Sequence, residues 1–369
     1  MHIRLEKSLF LKSLAHQQNV VERKTTVPIL THLLMEATFD GRVKLTGTDL
    51  ELTVVETIPA VVQKEGSTAI SAHLLYDIVR KLKDEAPIDI ELNPSQSSLV
   101  LRCAPSQFTL QTLPASDFPL MTTHEITHSF MLTGGELRRL IDQTRFAMST
   151  EEARYYLNGI YFHACEGDLR AVATDAHRLA LTWLPLPPHT EGLTGAILSR
   201  KTVSEVRKLI DSDDTVIDVS LSNSQMSFRV NDVILYSRLV KGTFPDYQRA
   251  IPQGNDKVVD VETRLFSEAI DRVSMLSPDK TKAVKMHIHS GGITFSAQSP
   301  ENGFACEDIP AQYTGDSLEM GFNARYVLDV VQQLKGDTFQ IHISDATIPA
   351  IVKDSRDENA LYVLMPMRV

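Results

Sequence analysis

Cysteine is scarce: three in 369 residues (Cys103, Cys165 and Cys306), far apart and without a C-x-x-C pair. That excludes a disulfide framework and a cysteine-built zinc site, and it fits a reducing compartment such as the cytoplasm. No apolar run approaches the roughly 18 residues that a membrane-spanning helix needs. The N-terminal MHIRLEKSLFLKSL alternates charged and apolar residues and has no uninterrupted signal-peptide core. There is no G-x-S-x-G elbow, no P-loop and no G-x-G-x-x-G turn. Asp175 and His177 are neighbours, yet no serine or cysteine stands out as a nucleophile for them. A chain of this length with no catalytic constellation reads as a binding or scaffold protein that uses no cofactor and no metal. Positive charge is also short, with 37 Lys+Arg against 47 Asp+Glu and a net charge of −10. Taken as a sum, that speaks against nucleic acid as a partner.

What is present is repetition. Asp40-Gly41, Glu166-Gly167 and Gly291-Gly292 each interrupt alternating apolar residues and read as β-hairpin turns. Gly41, Gly167 and Gly292 are spaced by 126 and 125 residues. Thr48-Asp49 and Thr174-Asp175 are also 126 apart, as are Phe118-Pro119 and Phe244-Pro245. Three similar domains follow: 1–127, 128–256 and 257–369. Within them, amphipathic helical patterns begin near residues 7, 72, 135, 200, 263 and 323, at steps of 60 to 65 residues. Ser71 and Ser199 sit at N-cap positions, and Thr133-Gly-Gly-Glu136 spells a capping box. Leu74, Leu75, Ile78, Val79 and Leu82 form one apolar face of the second helix. Short alternating strands lie between the helices, among them 108–113, 226–230, 233–240 and 339–343. The fold class is α+β, built from six helix-plus-strands units paired into three domains.

Charge is segregated along this repeat. The windows 7–19, 72–83, 135–147, 200–210, 263–275 and 323–335 hold 16 basic and 7 acidic residues, a net of +9. Everything else carries −19. Glu forms helices as readily as Lys or Arg, so helix propensity alone does not explain the bias. Helices exposing Lys12, Arg80, Lys81, Arg138, Arg139, Arg145, Lys201, Arg207 and Lys208 would offer phosphates a positive surface that reads no bases.

One segment competes for a catalytic reading. His124-Glu125-Ile126-Thr127-His128 matches H-E-x-x-H, in which a helix presents both histidines to zinc, and implies a zinc hydrolase as the alternative function. Its setting argues for extended chain: it follows Asp117-Phe118-Pro119, lies at a domain join and is rich in threonine. Extended, His124 and His128 stand roughly 13 Å apart, too far to share a metal. His287 and His289 fall on one face of a strand and read as a solvent-facing pair.

Several longer segments resemble the bacterial DNA polymerase III β subunit, the replicative sliding-clamp family. They are Val27-Pro-Ile-Leu30, Leu45-Thr-Gly-Thr-Asp-Leu50, Arg154-Tyr-Tyr-Leu-Asn-Gly-Ile-Tyr-Phe162 and Ala173-Thr-Asp-Ala-His-Arg-Leu179. Leu239-Val-Lys-Gly-Thr-Phe-Pro-Asp-Tyr-Gln-Arg249, Gly321-Phe-Asn-Ala-Arg-Tyr-Val-Leu-Asp329 and Tyr362-Val-Leu-Met-Pro-Met-Arg368 continue the likeness to the end of the chain. The resemblance implies three DNA-clamp domains per chain and a head-to-tail homodimer closing into a six-domain ring, helices lining the hole and sheets outside. It implies a non-catalytic processivity factor that encircles double-stranded DNA without reading its sequence. The partners implied are the polymerase III α subunit, the clamp-loader δ subunit, other polymerases and mismatch-repair proteins, each bound through a short linear peptide.

Carried across by motif, the peptide groove would be Arg154, Leu157, Thr174, His177, Arg178, Leu179, Pro245, Arg249, Asn323, Tyr326, Val363, Met365, Pro366, Met367 and Arg368. Leu, Val, Pro and Met would supply adaptable apolar walls and the others polar anchors. Arg23, Lys24, Arg80, Arg138, Tyr155, Tyr156, Lys201 and Arg207 would face DNA, and Phe108, Met275 and Leu276 would line the dimer interface. Ala176 stands where the family commonly has Gly, Ala250 replaces a larger aliphatic residue, and Pro349 is expected to interrupt a strand near the groove.

Overall fold

The computed structural model describes residues 1–84, 86–93, 97–122, 125–277, 282–301 and 303–368. The first third runs β1 (His2–Leu5), α1 (Lys7–Val20), β2 (His32–Thr38), β3 (Arg42–Thr48), β4 (Leu52–Pro59), β5 (Val61–Lys64) and β6 (Gly66–Ser71). It continues with α2 (Ala72–Lys81), β7 (Ile88–Asn93), β8 (Ser98–Cys103) and β9 (Ser106–Leu113). The second third runs β10 (His128–Thr133), α3 (Gly134–Asp142), β11 (Gly159–Cys165), β12 (Asp168–Thr174) and β13 (Arg178–Pro185). Then come β14 (Ala196–Ser199), α4 (Arg200–Leu209), β15 (Val216–Leu221), β16 (Gln225–Val230) and β17 (Val233–Arg238). The last third runs β18 (Lys257–Glu262), α5 (Thr263–Ser274), β19 (Ala283–His289), β20 (Gly292–Ser299), β21 (Gly303–Ile309) and β22 (Ala311–Gln312). It ends with β23 (Leu318–Asn323), α6 (Ala324–Val331), β24 (Thr338–Ile343), β25 (Ala350–Asp354) and β26 (Ala360–Leu364). Apart from the short β5 and β22, each third repeats strand, helix and three strands twice. This is the α+β sixfold pattern expected.

All six helices begin within one residue of the positions read from the sequence. Their interior faces explain why: α2 buries Ala72, Leu75 and Val79, and α5 buries Phe266, Ala269, Ile270 and Val273 at helical spacing. The caps are less uniform. Ser199 Oγ accepts the Thr202 N–H at 3.2 Å, whereas Ser71 precedes α2 without a side-chain cap bond. Asn323 caps α6 by accepting the N–H groups of Arg325 and Tyr326. Two helices are shorter than expected, α3 stopping at Asp142 and α6 at Val331. Leu74, read as part of the core face of α2, is instead 49 % exposed.

The hairpins follow their turn residues. Glu166 and Gly167 link β11 to β12 with both φ angles positive (54° and 84°), the twist a two-residue hairpin favours. In the third repeat the turn is Ser290-Gly291, one residue earlier than expected, and Gly292 already opens β20. Glycine is required there, because a Cβ would lie 2.1 Å from the Ile309 carbonyl oxygen.

The chain forms two compact units. The first comprises Met1–Gly135, Pro187–Thr190 and Ser204–Leu239. It holds one antiparallel sheet in the order β10-β15-β16-β17-β4-β3-β2-β6-β9-β8-β7-β1-β5. Phe10 and Leu14 of α1 and Leu75 and Val79 of α2 pack with Ile3, Leu33, Met35, Leu45, Ile90 and Leu101 beneath it. The second unit comprises Glu136–Leu186, Glu191–Val203 and the chain from Val240 onward. Its sheets run β14-β11-β12-β13-β26-β25-β24-β18-β22 and β21-β20-β19-β23. Phe266 meets Phe295 and Phe339 edge-on at 5.2 and 5.0 Å in its core.

A buried polar network pins α3 in the second unit. Asp357 receives Arg139 Nη2 at 2.7 Å and Gln143 Nε2 at 2.9 Å, with Lys335 Nζ 3.4 Å away. Burial disfavours its charge, but Gln143, Arg139, the Asn359 N–H and Lys335 together outweigh that and hold its pKa below the usual carboxylate range. The folded value lies below the unfolded one, so this stabilisation is complete above roughly pH 5 and is lost as pH falls through the lowered folded value. Asp357→Asn is expected to cost about 2 kcal/mol at pH 7. Urea unfolding checks this: the gap between the two proteins should narrow below about pH 4, and a gap that stays constant contradicts the assignment.

Candidate functional site

The two Thr-Asp pairs build one kind of turn twice. Thr48 Oγ1 donates to the Leu52 carbonyl and accepts the Leu50 N–H, while Asp49 Oδ1 accepts the N–H groups of Glu51 and Leu52. Thr174 and Asp175 make the same set with Arg178 O, Ala176 N, His177 N and Arg178 N. The third residue of each turn, Leu50 or Ala176, has a left-handed φ of 78° or 74°. That is the backbone reason glycine suits position 176, and Ala176 holds it through the side-chain bonds on either side. Asp175 is thus a turn former rather than a partner in a catalytic pair with His177.

This second turn opens onto the candidate groove. Leu157, Leu179 and Val363 are buried and belong to one cluster with Val172, Leu181, Ile197, Phe244 and Tyr247, so they form a floor rather than exposed walls. The chain tail that follows Val363 is fixed at two points: Met365 N donates to His177 O at 2.9 Å and Met367 N to Gly321 O at 2.8 Å. The His177 ring stacks on Tyr326 with centroids 6.0 Å apart. His177, Pro245, Arg249, Met365 and Arg368 are exposed, and Arg154, Thr174, Asn323, Tyr326, Pro366 and Met367 are half-buried. The result is an apolar floor with a rim of Met, Pro, His, Tyr and Arg, suited to an extended peptide with apolar side chains.

Not every expected groove residue is available to a ligand. Arg178 is buried, donating to Asp175 (3.1 Å), Asp329 (2.5 Å) and the Phe146 carbonyl (2.6 Å), with its guanidinium 4.4 Å from the Tyr326 ring centre. It fastens β13 to α6, and Asp329, 151 residues away, gives no sequence signal of this. Asn323 is engaged in its cap. Arg154 and Arg249 pair with Glu151 and Asp246, on the surface and with weak hold. Next to Pro245 in the chain, Phe244 stacks on Tyr161, which stacks on His163, at 4.8 Å each, and the Tyr247 hydroxyl lies 3.0 Å from His163 Nε2. Burial, with Arg170 close by, lowers the His163 pKa and favours its neutral form. Sequence reading missed this brace. Ala250 is exposed at the end of a short 3-10 turn, Tyr247–Ala250. Pro349 does not interrupt a strand, because β25 starts at Ala350 and the proline closes the preceding loop.

The candidate DNA-facing residues lie on or beside helices. Arg23 and Lys24 are exposed after α1, and Arg80 is exposed on the last turn of α2, 3.3 Å from Asp77. Arg138 is on α3, and Lys201 and Arg207 are on α4, all half-buried. Tyr155 and Tyr156 meet edge-on at 5.8 Å, Tyr155 being 53 % exposed. Other helix bases are paired: Lys12 with Asp211, Arg139 with Asp357, Arg145 with Asp142 and Lys208 with Glu205. The exposed pairs among these contribute under about 1 kcal/mol each and leave the charges open to phosphate.

The H-E-x-x-H segment is not helical where described. Thr127 donates its N–H to Leu221 O at 2.8 Å in extended chain, and His128 opens β10. His124 lies outside the described residues. His287 and His289 share a face of β19 with ring centroids 5.3 Å apart. The Gly291 N–H reaches His289 Nδ1 at 3.1 Å, making that nitrogen the acceptor and leaving the proton on Nε2, 3.4 Å from Thr294 Oγ1. In this tautomer the His289 lone pair is already engaged by the Gly291 N–H.

Known proteins match this architecture along its whole length. Family models of the DNA polymerase III β subunit match in order: the N-terminal domain over residues 1–122, the central domain over 131–246 and the C-terminal domain over 248–368. The chain belongs to the DNA polymerase III β-subunit family of sliding clamps. The β sliding clamps of Caulobacter vibrioides and Escherichia coli K12 are 41 % and 35 % identical to it, each alignment covering all of both chains. A crystal structure of the Bartonella birtlesii sliding clamp bound to griselimycin superposes with a TM-score of 0.96 at 43 % identity, again over all of both chains. The three similar domains expected from the repeat are therefore DNA-clamp domains, and the clamp is a DNA-replication protein.

The interface candidates of the clamp sit beside unpaired strand edges. Phe108 is half-buried on β9, which pairs with β6 only at Leu113 and Thr112, leaving its earlier residues open on that side among the described residues. Met275 is 76 % exposed and Leu276 half-buried just after α5. β21 is the outer strand of its sheet and carries Phe304, 63 % exposed, which sequence reading did not single out. Its alternation Phe304, Cys306, Asp308 was the available signal. Glu307 on the same strand is held by Arg272 at 2.6 Å within the chain.

Proposed function

We propose that two copies of the clamp close head to tail, β9 of one meeting β21 of the other, into a ring around duplex DNA. The domains are 1–127, 128–256 and 257–369, with the helices facing the hole. Two open antiparallel edges with exposed phenylalanine and methionine beside them are unstable in isolation and suited to augment one another. Positive charge concentrated on the helices supports the placement of DNA: contacts to phosphate from Arg23, Lys24, Arg80, Arg138, Tyr155, Tyr156, Lys201 and Arg207 are non-specific and permit sliding. The protein itself performs no chemistry. It works in the cytoplasm, where the polymerase held to a ring stays near the primer end and re-engages after release.

The groove serves as the attachment point for the polymerase III α subunit, the loader δ subunit, other polymerases and mismatch-repair proteins. The observation that carries this reading is the tail. Met365–Arg368 leaves the sheet and is held by two backbone bonds, to His177 and Gly321, with Met365 exposed two residues beyond Val363 of the apolar cluster. The test of the ring is topological. Clamp assembled by its loader on nicked circular DNA is expected to co-elute with DNA in 0.5 M salt, where phosphate binding alone is largely lost, and to leave when the circle is cut. Equal retention on circular and linear DNA, or a monomer by native mass spectrometry at micromolar protein, overturns it.

A further inference from the structure

One segment, 146–158, carries candidates for both sites. Within its 3-10 run, Glu152–Leu157, Arg154 and Leu157 are groove candidates, while Tyr155 and Tyr156 between them are DNA candidates. The two sets therefore interleave along one short stretch of chain. The run is interrupted at Arg154 (φ −111°, ψ 45°), and Leu157 is its one buried residue. Ala147, Met148 and Ser149 are buried at the start of the segment, whereas the largely exposed 3-10 run depends on its hydrogen bonds for order.

Those bonds converge on Arg200, the first residue of α4. Its Nη2 donates to Met148 O at 2.8 Å and Ser149 O at 2.7 Å, and its own N–H donates to Asn158 O at 3.0 Å. The loop is then closed on itself by Ser149 N to Leu157 O (3.0 Å) and Asn158 Nδ2 to Glu151 O (3.1 Å). Arg200 thus clasps both ends of the segment. The residue is also exposed and adjoins Lys201, a DNA candidate. A guanidinium has five N–H donors, so one able to hold carbonyls through Nη2 can meet a phosphate with the others.

We propose that Arg200 is a positioning residue of the peptide groove, through which bound DNA tightens the grip on a partner peptide. This rests on the groove and DNA-facing readings above. Phosphate at Arg200 and base-pair backbone against Tyr155 and Tyr156 restrain the segment. A peptide then meets Arg154 and Leu157 already in place and loses less order on binding. Linkage makes the effect reciprocal, so the peptide also steadies the clamp's hold on DNA.

The test uses the full-length clamp and a fluorescein-labelled peptide from the clamp-binding end of its cognate polymerase α subunit. Anisotropy titrations compare free clamp with clamp loaded on nicked plasmid and freed of loader by gel filtration. The expected result is about fivefold tighter binding on DNA for the unaltered protein. For Arg200→Gln the two affinities become equal, and the DNA-free affinity falls a few-fold. Arg200→Lys, which keeps the charge but not the two-carbonyl clasp, also loses the difference. Amide hydrogen exchange of 148–158 in the unaltered clamp gives an independent reading, with slower exchange expected on DNA. Equal peptide affinity on and off DNA, unchanged exchange, or full coupling in Arg200→Gln overturns the proposal. No peptide binding to either form overturns the groove reading instead.

Discussion

Leu276→Lys is expected to convert the clamp to a monomer at micromolar concentration and to abolish its retention on circular DNA. Leu276 and its neighbour Met275 follow α5 on a surface otherwise rich in charge, and Met275 is three-quarters exposed. If this patch meets Phe108 of a second copy, lysine removes a buried leucine, about 2 kcal/mol, and brings an ammonium group into apolar surroundings at further cost. A two-fold ring contains the interface twice. A penalty of about 3 kcal/mol per joint therefore weakens the dimer by roughly four orders of magnitude. Native mass spectrometry and gel filtration on nicked plasmid read both effects. The substituted protein should melt within a few degrees of the parent and bind partner peptide normally, because no groove residue is touched. A dimer of undiminished strength would remove Leu276 from the interface.

Deleting Met365–Val369 is expected to do the reverse, weakening partner peptide about 100-fold while the dimer and its hold on DNA persist. β26 ends at Leu364, and its ladder to β13 pairs Arg178 with Leu364 and Leu179 with Val363, so the sheet closes without the tail. The deletion removes the bonds from Met365 N to His177 O and Met367 N to Gly321 O and takes two methionines and a proline from the rim. Losing roughly 100 Å² of apolar contact costs about 2.5 kcal/mol, close to the factor of 100. Fluorescence anisotropy with the α-subunit peptide measures it. Unchanged affinity would mean that the peptide binds elsewhere. The two changes together form a cross: each should remove one function and spare the other.

The sequence carried the repeat well because local rules produce it. Helix starts followed from apolar spacing, and the Thr-Asp and Glu-Gly pairs followed from turn chemistry confined to four or five residues. The family resemblance named segments that the structure brings into one cluster around Leu157, Leu179 and Val363. Long-range pairing was not legible. Nothing near Arg178 announces Asp329, and nothing near Asp357 announces Gln143, because such bonds depend on where distant elements cross. Periodicity placed Leu74 inside because its spacing to Ile78 and Leu82 is helical, but the apolar stripe of α2 is wider than the surface its own core covers. The remainder is exposed, as are Phe304 and Met275. Pro349 lies one residue before the start of β25, within the usual margin at a strand end.

The ladders that join successive repeats have a mechanical consequence. β17 pairs with β4 along Val233–Ser237 and Leu52–Glu56, and β13 pairs with β26 along Arg178–Thr182 and Ala360–Leu364. Swivelling one repeat against the next would shear five residue pairs at either seam. Each unit is bound across its seam like cloth along a stitched edge, which gives way only when several bonds part together.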